Sequence, residues 1–208
     1  MERKRVGIVV FDNVEVLDFC GPFEVFSVTR LNDANPNEEP SPFEVLLVAE
    51  RAGPVTTSGG MSVLPHCTFA NCPRLDILLA PGGWGTRKEL KNPIMLDWLR
   101  ARAAEAEIVT SVCTGSMLLG FAGLLDGLHA TTHWQSLDWM RDSFPDVRVE
   151  YGKHFVVDGR VFTSAGISAG IDMALKVVAH CLGEDIARAS ARYMEYPYPE
   201  SDVRRIQI

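Results

Sequence analysis

The cysteine at position 113 has the sequence context of a catalytic nucleophile. It stands in SVCTG (111–115), where a β-rich run passes into a helical pattern and small residues flank the cysteine. Enzymes with a G-x-S-x-G motif hold their nucleophile on the same kind of strand-to-helix turn. The positive end of a helix dipole favours the thiolate form of a thiol placed there. The alternative is a buried cysteine that acts as a small hydrophobic residue, and the helix start with its flanking glycine favours the nucleophile.

Asp18 is the second candidate for chemistry. It follows the first apolar run in NVEVLDFCGPFEVF (13–26), at the carboxyl edge of a strand and at the start of a helical pattern. A buried carboxyl group there could hydrogen-bond the cysteine sulfur and donate a proton. A simple helix cap, with Pro22 in the first turn, is an equally weighted alternative. Glu15 and Glu24 compete for the role, but Glu24 falls inside the helix and Glu15 is expected to be solvated.

A glycine pair, Gly82 and Gly83, follows the apolar run DILLA (76–80). Glycine lets the backbone approach a ligand closely, and the two N–H groups could stabilise negative charge that develops on a substrate. A plain turn at the end of a strand explains the same residues equally well. Both glycines are therefore candidate substrate-binding residues.

Histidine does not follow Cys113 directly; Thr114 occupies that position, and His133 lies further along the chain. A Cys–His hydrolase needs its base within hydrogen-bond reach of the sulfur, and the sequence alone does not place His133 there. A structural role is therefore favoured for His133.

The remaining cysteines lack the context of Cys113; they are Cys20, Cys67, Cys72 and Cys181. Cys67 and Cys72 stand near His66, a partial zinc pattern without regular spacing or a fourth ligand. Structural cysteines are the favoured interpretation. The odd number of cysteines, and a basic MERKR start that leads into a strand-like segment rather than a signal-peptide core, favour a reducing cytoplasm.

Strands and helices alternate along the chain and must position these residues. Near-continuous apolar runs, typical of strands covered on both faces, occur at 6–11, 43–49, 76–83 and 107–112. Helical patterns lie at about 19–30, 93–106, 115–122, 134–142, 168–182 and 184–194. This alternation predicts a three-layer α/β fold with a mainly parallel sheet, whose carboxyl edge binds ligands. Asp158-Gly159 within 149–164 predicts a small antiparallel hairpin.

The composition excludes several classes of function. The chain has 208 residues, of which 47% are hydrophobic and 23% charged, which suits one globular domain over 1–208. With 20 basic against 27 acidic residues the net charge is -7, which argues against nucleic-acid binding and against an anionic membrane. An uncharged stretch at 108–125 is just long enough for a membrane span, but its glycines favour a buried strand, turn and helix. The polar segment 32–42 is expected to be a surface loop.

Four blocks of the chain resemble the ThiJ/PfpI superfamily of class I glutamine amidotransferase-like proteins. The blocks are VxxLDxxGPxEVF (14–26), LAPGG (79–83), TSVCTGSxLLGxAGLLDGxxATTHW (110–134) and TSAGISAGIDMAL (163–175). The likeness continues to the EYPYP segment at 195–199 and is strongest to the isonitrile hydratases. It implies a flavodoxin-like sandwich, usually assembled as a homodimer, with a cysteine on the strand-to-helix turn.

The resemblance also implies roles for individual residues. In isonitrile hydratases the nucleophile falls on Cys113, its neighbouring threonine on Thr114 and its acidic partner on Asp18. Gly166 and Ile167 lie in a block that the family places close to the cysteine, so they are implied pocket residues. Protease-like members have a histidine directly after the cysteine and a glutamate where Asp18 stands. The sequence therefore departs from the peptidase and deglycase patterns.

The implied reaction is the hydration of an isocyanide, R–N≡C, to an N-formamide, R–NH–CHO. A thiolate from Cys113 adds to the terminal carbon to give a covalent thioimidate; Asp18 then protonates the nitrogen and activates the attacking water. The substrate is a small molecule, and no metal or organic cofactor is required. Two alternatives stay open: a metabolite- or redox-sensing domain like those of AraC-type regulators, and a glutamine-amidase-like or peptidase enzyme that uses Cys113 with His133.

Overall fold

The structure of the protein is a computed structural model that describes residues 2–32 and 39–206. The strands in these ranges are β1 (Lys4–Val9), β2 (Phe43–Ala49), β3 (Val55–Thr56), β4 (Ser62–Val63), β5 (Cys67–Thr68), β6 (Ile77–Ala80), β7 (Ile108–Val112), β8 (His129–Ala130), β9 (Arg148–Val149), β10 (Phe155–Asp158) and β11 (Val161–Ser164). Seven of them form one sheet in the order β10-β11-β7-β6-β1-β2-β5. Neighbouring strands are parallel except for the pair β10 and β11.

Helices cover this sheet. They are α1 (Val16–Val28), α2 (Thr86–Glu89), α3 (Pro93–Glu105), α4 (Gly115–Phe121), α5 (Leu137–Ser143), α6 (Ala169–Leu182) and α7 (Glu184–Tyr193), with a 3-10 turn at Trp134–Ser136. Helices α1, α6 and α7 pack on one another, and α4 packs on α2 and α3. The three-layer α/β fold with its mainly parallel sheet is confirmed.

The sequence patterns locate the main elements correctly. The apolar runs form β1, β2, β6 and β7, and the predicted antiparallel hairpin is the pair β10 and β11. Gly159 at its turn has a φ of 57°, a conformation that tight hairpin turns favour. Helix α1 begins at Val16 rather than near residue 19, so Pro22 lies inside the helix and not in its first turn. The predicted loop at 32–42 falls largely outside the described residues.

The uncharged stretch at 108–125 contains a buried strand followed by a buried helix. All five residues of β7 are buried between β6 and β11, and in α4 every residue but Phe121 is buried. A strand buried on both faces of a parallel sheet is typically near-continuously apolar, and the two buried polar residues of β7 are the small Thr110 and Ser111. Within the described ranges, no helix is long and apolar enough to cross a membrane.

The carboxyl ends of β11, β7, β6 and β1 lie side by side in the sheet. From β1 the chain continues to β2 on one side and later returns to β6 on the other. The gap between β1 and β6 is therefore a topological switch point, where open α/β sheets bind ligands. The segments after these four strands carry Ile167, Cys113, Gly82 and Asp18 in that order. The fold thus brings the candidate residues to one edge.

Candidate active site

The backbone turn that holds Cys113 is fixed from both sides. Cys113 has a φ of 56°, which is uncommon outside glycine and persists only where the surroundings impose it. Its N–H donates to the carbonyls of Ser164 and Ala165 at 3.2 and 3.1 Å. Its own carbonyl accepts from the hydroxyls of Thr132 at 2.9 Å and Ser116 at 3.1 Å. The strand-to-helix turn expected at this position is present.

Two glycines let the neighbouring loops close on this turn. A Cβ on Gly115 would overlap the carbonyl oxygen of Ala80 at the end of β6. A Cβ on Gly82 would lie 2.6 Å from the backbone nitrogen of Thr114 and 2.8 Å from Oδ2 of Asp18. Because side chains do not tolerate such short contacts, only glycine fits at these two positions.

Asp18 is fully buried, and its carboxyl group faces the glycine loop rather than its own helix end. Oδ2 accepts the N–H of Gly82 at 2.9 Å, while Oδ1 is buried without a hydrogen-bond partner. Burial raises the pKa of Asp18 to about 7; the charge of Glu15 adds to the rise, and the Gly82 N–H, the Cys113 thiol and the Ile167 N–H oppose it. Asp18 therefore does not cap α1, whose N-cap residue is Glu15, and its role in proton transfer stays a prediction.

The surroundings of the Cys113 thiol oppose the thiolate form that the sequence suggests. Its side chain is buried, and burial together with the adjacent Asp18 carboxylate raises the pKa of Cys113. The N–H and hydroxyl of Thr114 donate toward the sulfur but only partly offset this rise. Burial is the largest influence on this pKa and opposes the thiolate form that a helix start favours, so the thiolate expected at the start of α4 stays a prediction. The Cys113 thiol thus lies close enough to the Asp18 carboxyl group for each to affect the pKa of the other.

Thr114 links the thiol to the glycine loop. The N–H of Gly83 donates to Oγ1 of Thr114 at 3.1 Å, and the Thr86 hydroxyl lies 3.2 Å from the same oxygen. The N–H groups of Gly82 and Gly83 therefore bind side chains of the site, rather than being free to stabilise charge on a substrate as the sequence suggests. The glycine loop positions Asp18 and Thr114, and the contribution of the buried Thr86 has no counterpart in the sequence analysis.

The loop after β11 brings Gly166 and Ile167 to the site. Ile167 has a φ of 56°, an outlier for a β-branched residue, and its side chain lines the cavity beside Cys113. Gly166 packs directly on His133, because a Cβ on this glycine would overlap the imidazole ring. Ile167 thus contacts the cavity, and Gly166 acts through packing.

His133 lines the same cavity as Cys113. Its Nδ1 accepts the N–H of Gln135 at 3.3 Å. Burial, and to a lesser degree the charge of Arg204, lowers the pKa of His133. Among the described residues no hydrogen bond joins this ring to the Cys113 sulfur, so the contacts do not form the Cys–His pair that an amidase or peptidase needs.

A cavity of about 400 Å³ adjoins these residues, which is a volume suited to a small organic ligand. Its lining consists of Glu15, Gly83, Trp84, Arg87, Cys113, Thr114, His133, Gln135, Ser136, Trp139 and Ile167. Glu15, expected to be solvated, is partly exposed; it lines the cavity and accepts the Ser58 hydroxyl at 3.0 Å. Trp84 directly follows the glycine pair and belongs to the same segment, PGGWG (81–85), after β6. Arg87 and Trp139 lie on separate segments that only the fold brings together.

The residues of the partial zinc pattern, His66, Cys67 and Cys72, form contacts within the protein. Nδ1 of His66 accepts the N–H of Leu47 at 2.9 Å, and the thiol of Cys72 donates to the carbonyl of Pro73 at 3.4 Å. In the part of the chain that the structure describes, no three His, Cys, Asp or Glu side chains are placed to hold a metal ion. The favoured structural interpretation of Cys67 and Cys72 agrees with these contacts.

Fold and site together define a flavodoxin-like α/β protein with a cysteine and a buried acid at the carboxyl edge of its sheet. The sequence pattern of the DJ-1/PfpI family matches residues 4–180. The chain belongs to this family.

Known proteins of this family differ in function. Isonitrile hydratase from Pseudomonas putida is 40% identical over 200 residues, which cover 95% of this chain and 81% of that protein. A solved THiJ/PfpI family protein from Pseudomonas syringae is 33% identical with a TM-score of 0.84, and the match covers 97% of this chain and 79% of that one. The HTH-type transcriptional regulator CdhR from Pseudomonas aeruginosa is 33% identical over 75% of this chain but 46% of its own length.

Proposed function

We propose that this protein is a cysteine-dependent hydratase that converts isonitriles to N-formamides. The observation that carries the proposal is the pair formed by Cys113 and Asp18, a thiol at an open cavity beside a buried carboxyl group whose pKa is about 7. An acid with a pKa near neutrality can both take and return a proton. The 40% identity to the Pseudomonas putida isonitrile hydratase supports the same assignment.

The first step forms a covalent bond between sulfur and carbon. The Asp18 carboxylate takes the thiol proton while an electron pair of the Cys113 sulfur attacks the terminal isocyanide carbon. Asp18 then returns the proton to that same carbon, which gives the thioimidate R–N=CH–S. Sulfur and proton thus both end on carbon. The nitrogen, for which the sequence suggests protonation at this step, receives its proton in the next step.

The second step consumes water and restores the enzyme. The Asp18 carboxylate removes a proton from water as the water oxygen attacks the thioimidate carbon, and that proton passes to the nitrogen. The resulting R–NH–CH(OH)–S intermediate loses its carbon–sulfur bond, while the hydroxyl proton returns through Asp18 to the Cys113 sulfur. One isocyanide and one water give one formamide, and no further reactant is needed.

Thr114 holds the sulfur in place during both steps. Its N–H and hydroxyl donate toward the Cys113 sulfur, which stabilises negative charge on sulfur as the thiol proton leaves and again as the carbon–sulfur bond breaks. The N–H of Gly83 fixes the Thr114 side chain from the other side. Cys113, Asp18 and Thr114 are therefore the catalytic residues of this proposal.

A sensing role is the second candidate function. It is favoured by the 33% identity to the transcriptional regulator CdhR, which matches this chain over about half of the regulator's length. In that case the cavity binds a metabolite, or Cys113 responds to oxidation, without turnover.

The decisive test incubates the purified protein with cyclohexyl isocyanide or nitrophenyl isocyanide and quantifies the N-formamide by mass spectrometry. Parallel reactions contain glutamine or a peptide, which an amidase or a peptidase would cleave. We expect formamide formation and no cleavage of glutamine or peptide. Isocyanide that binds without being converted would replace this proposal with the sensing role.

A further inference from the structure

The guanidinium of Arg87 has an unusual set of contacts at the cavity. It lies 4.1 Å from the ring centre of Trp84 and 5.8 Å from that of Trp139, and all three side chains line the cavity beside Cys113. Stacking on an indole face holds a guanidinium plane in a fixed orientation while leaving its N–H groups at the edge free to donate.

Arg87 differs from the other cations stacked on aromatic rings in the described residues. Arg102, Lys176, Arg188 and Arg205 each also donate a hydrogen bond to a carboxylate, a carbonyl or a tyrosine hydroxyl. The Arg87 guanidinium forms no hydrogen bond with any described residue. Its contacts are the two cation–π contacts with the indole rings. Glu15 lines the same cavity but forms no ion pair with Arg87; its carboxylate accepts the Ser58 hydroxyl.

A second cation, Arg204, acts on a residue that lines the cavity but does not line the cavity itself. The charge of Arg204 reaches His133, another lining residue, and lowers its pKa. Nη2 of Arg204 is buried and has no hydrogen-bond partner among the described residues. The protein as a whole carries a net charge of -7, so a cation without a carboxylate partner at this cavity, Arg87, differs from the acidic average of the molecule.

We propose that the substrate of this enzyme is an isocyanide whose organic group carries a carboxylate, which Arg87 binds. This inference rests on the proposed function and names its substrate class. A carboxylate accepts two parallel N–H groups from a guanidinium, a pairing that fits the free edge of Arg87. The indole faces of Trp84 and Trp139 supply apolar walls for the rest of the organic group. Arg87 is thus a specificity-determining residue and takes no part in proton transfer.

The test compares three isocyanides of similar shape: 4-isocyanobenzoate, its methyl ester and 4-methylphenyl isocyanide. Their kcat and KM are measured with wild type, Arg87→Gln and Arg87→Lys. Lys88→Gln is the matched control, because it removes the same charge one residue further along, at a side chain that faces a different cavity. We expect wild type to favour the carboxylate by at least about tenfold in kcat/KM, mainly through KM, as a charge-assisted hydrogen bond supplies. Arg87→Gln brings the ratio close to one, Arg87→Lys retains part of it, and Lys88→Gln leaves it unchanged.

Equal kcat/KM for the carboxylate and its ester in wild type overturns the inference while leaving the hydratase proposal intact. A preference that survives in Arg87→Gln also overturns it. If none of the three isocyanides is converted, the proposed function fails. Calorimetric binding of 4-formamidobenzoate then tests whether Arg87 binds a carboxylate. Binding at least about tenfold tighter than that of the methyl ester, lost in Arg87→Gln, supports the carboxylate site; equal binding rejects it.

Discussion

The Cys113 thiol and the Asp18 carboxyl group share one buried environment, and each changes the titration of the other. Burial raises the pKa of both groups, and the carboxylate raises that of the thiol further. The sequence identifies these two residues, because an elbow motif and a resemblance depend on residue types and spacing. It does not identify their ionisation states, because desolvation depends on packing from Gly82 and Ile167, which lie on other segments.

Replacement of Asp18 by asparagine removes the group that moves protons. In wild type we expect kcat/KM for an isocyanide to rise with pH through about 7, because the carboxylate form of Asp18 takes the thiol proton. Asp18→Asn lowers kcat/KM by at least about 100-fold, a typical loss for a general acid–base group, and abolishes the titration. A pH–rate profile of both proteins checks this, and a variant that keeps the rise near neutrality would exclude Asp18 as its source.

The same substitution has a predicted effect on stability. An acid whose pKa is higher in the folded protein binds its proton more tightly when folded, so this stabilisation is complete below the unfolded pKa and is lost as pH rises through about 7. The rise from 3.8 to about 7 corresponds to a cost on the order of 4 kcal/mol for the buried charge. Asparagine cannot ionise and so escapes this loss. The free energy of unfolding of Asp18→Asn, measured by urea denaturation, is therefore expected to rise relative to that of wild type between about pH 4 and about pH 8. A constant difference between the two proteins would show that the Asp18 pKa is not raised.

At the scale of elements, parallel strands explain how residues far apart in the chain meet. Long apolar runs and the hairpin signal at Asp158-Gly159 predict the central strands, because these elements are long enough to show a period or a specific turn. The two-residue strands β3, β4, β5, β8 and β9 have too few residues for any period. Asp18 also lies deeper in its helix than expected, because Val16 begins α1 and Pro22 is tolerated inside it.

The close approach of α4 to β6 predicts a strong effect of a single methyl group. Gly115→Ala places its Cβ against the carbonyl oxygen of Ala80, so the turn that holds Cys113 must shift. We expect the free energy of unfolding to fall by about 1–3 kcal/mol, as overpacking typically costs, together with a loss of hydratase activity. Gly59→Ala is the matched control, because the nearest atom to its Cβ is a Val16 methyl at an ordinary 3.8 Å. Urea denaturation that does not distinguish the two variants would contradict this packing.

At the scale of the molecule, a buried acid ties the C-terminal segment to the helix that follows the site. Asp172 in α6 is fully buried and lies 2.9 Å from Nε2 of His154 and 2.7 Å from Nη2 of Arg205. It also accepts the Tyr196 hydroxyl at 2.9 Å. The members of this cluster come from four separated segments, so no local sequence pattern predicts it. The homodimer and the single-domain organisation implied by the sequence remain predictions.

Removal of that acid is expected to release the C-terminal segment. Asp172→Ala leaves His154 and Arg205 without their carboxylate partner, and we expect a loss of about 3 kcal/mol in the free energy of unfolding. Hydrogen exchange at 200–206 is expected to become faster. Glu105→Ala, which breaks only an exposed pair with Arg102, is the control and changes stability by less than about 0.5 kcal/mol. Unchanged exchange at 200–206 would mean that other contacts hold the segment.

The most direct measurement of the central claim is the rate at which Cys113→Ala forms N-formamide from an isocyanide that wild type converts. We predict a fall of at least about 1,000-fold, because the variant has lost the sulfur that forms the covalent bond. Cys181→Ala, which removes a thiol remote from the cavity, retains the wild-type rate. A Cys113→Ala protein that forms formamide within about tenfold of wild type would contradict the account, since the reaction would then proceed without the sulfur.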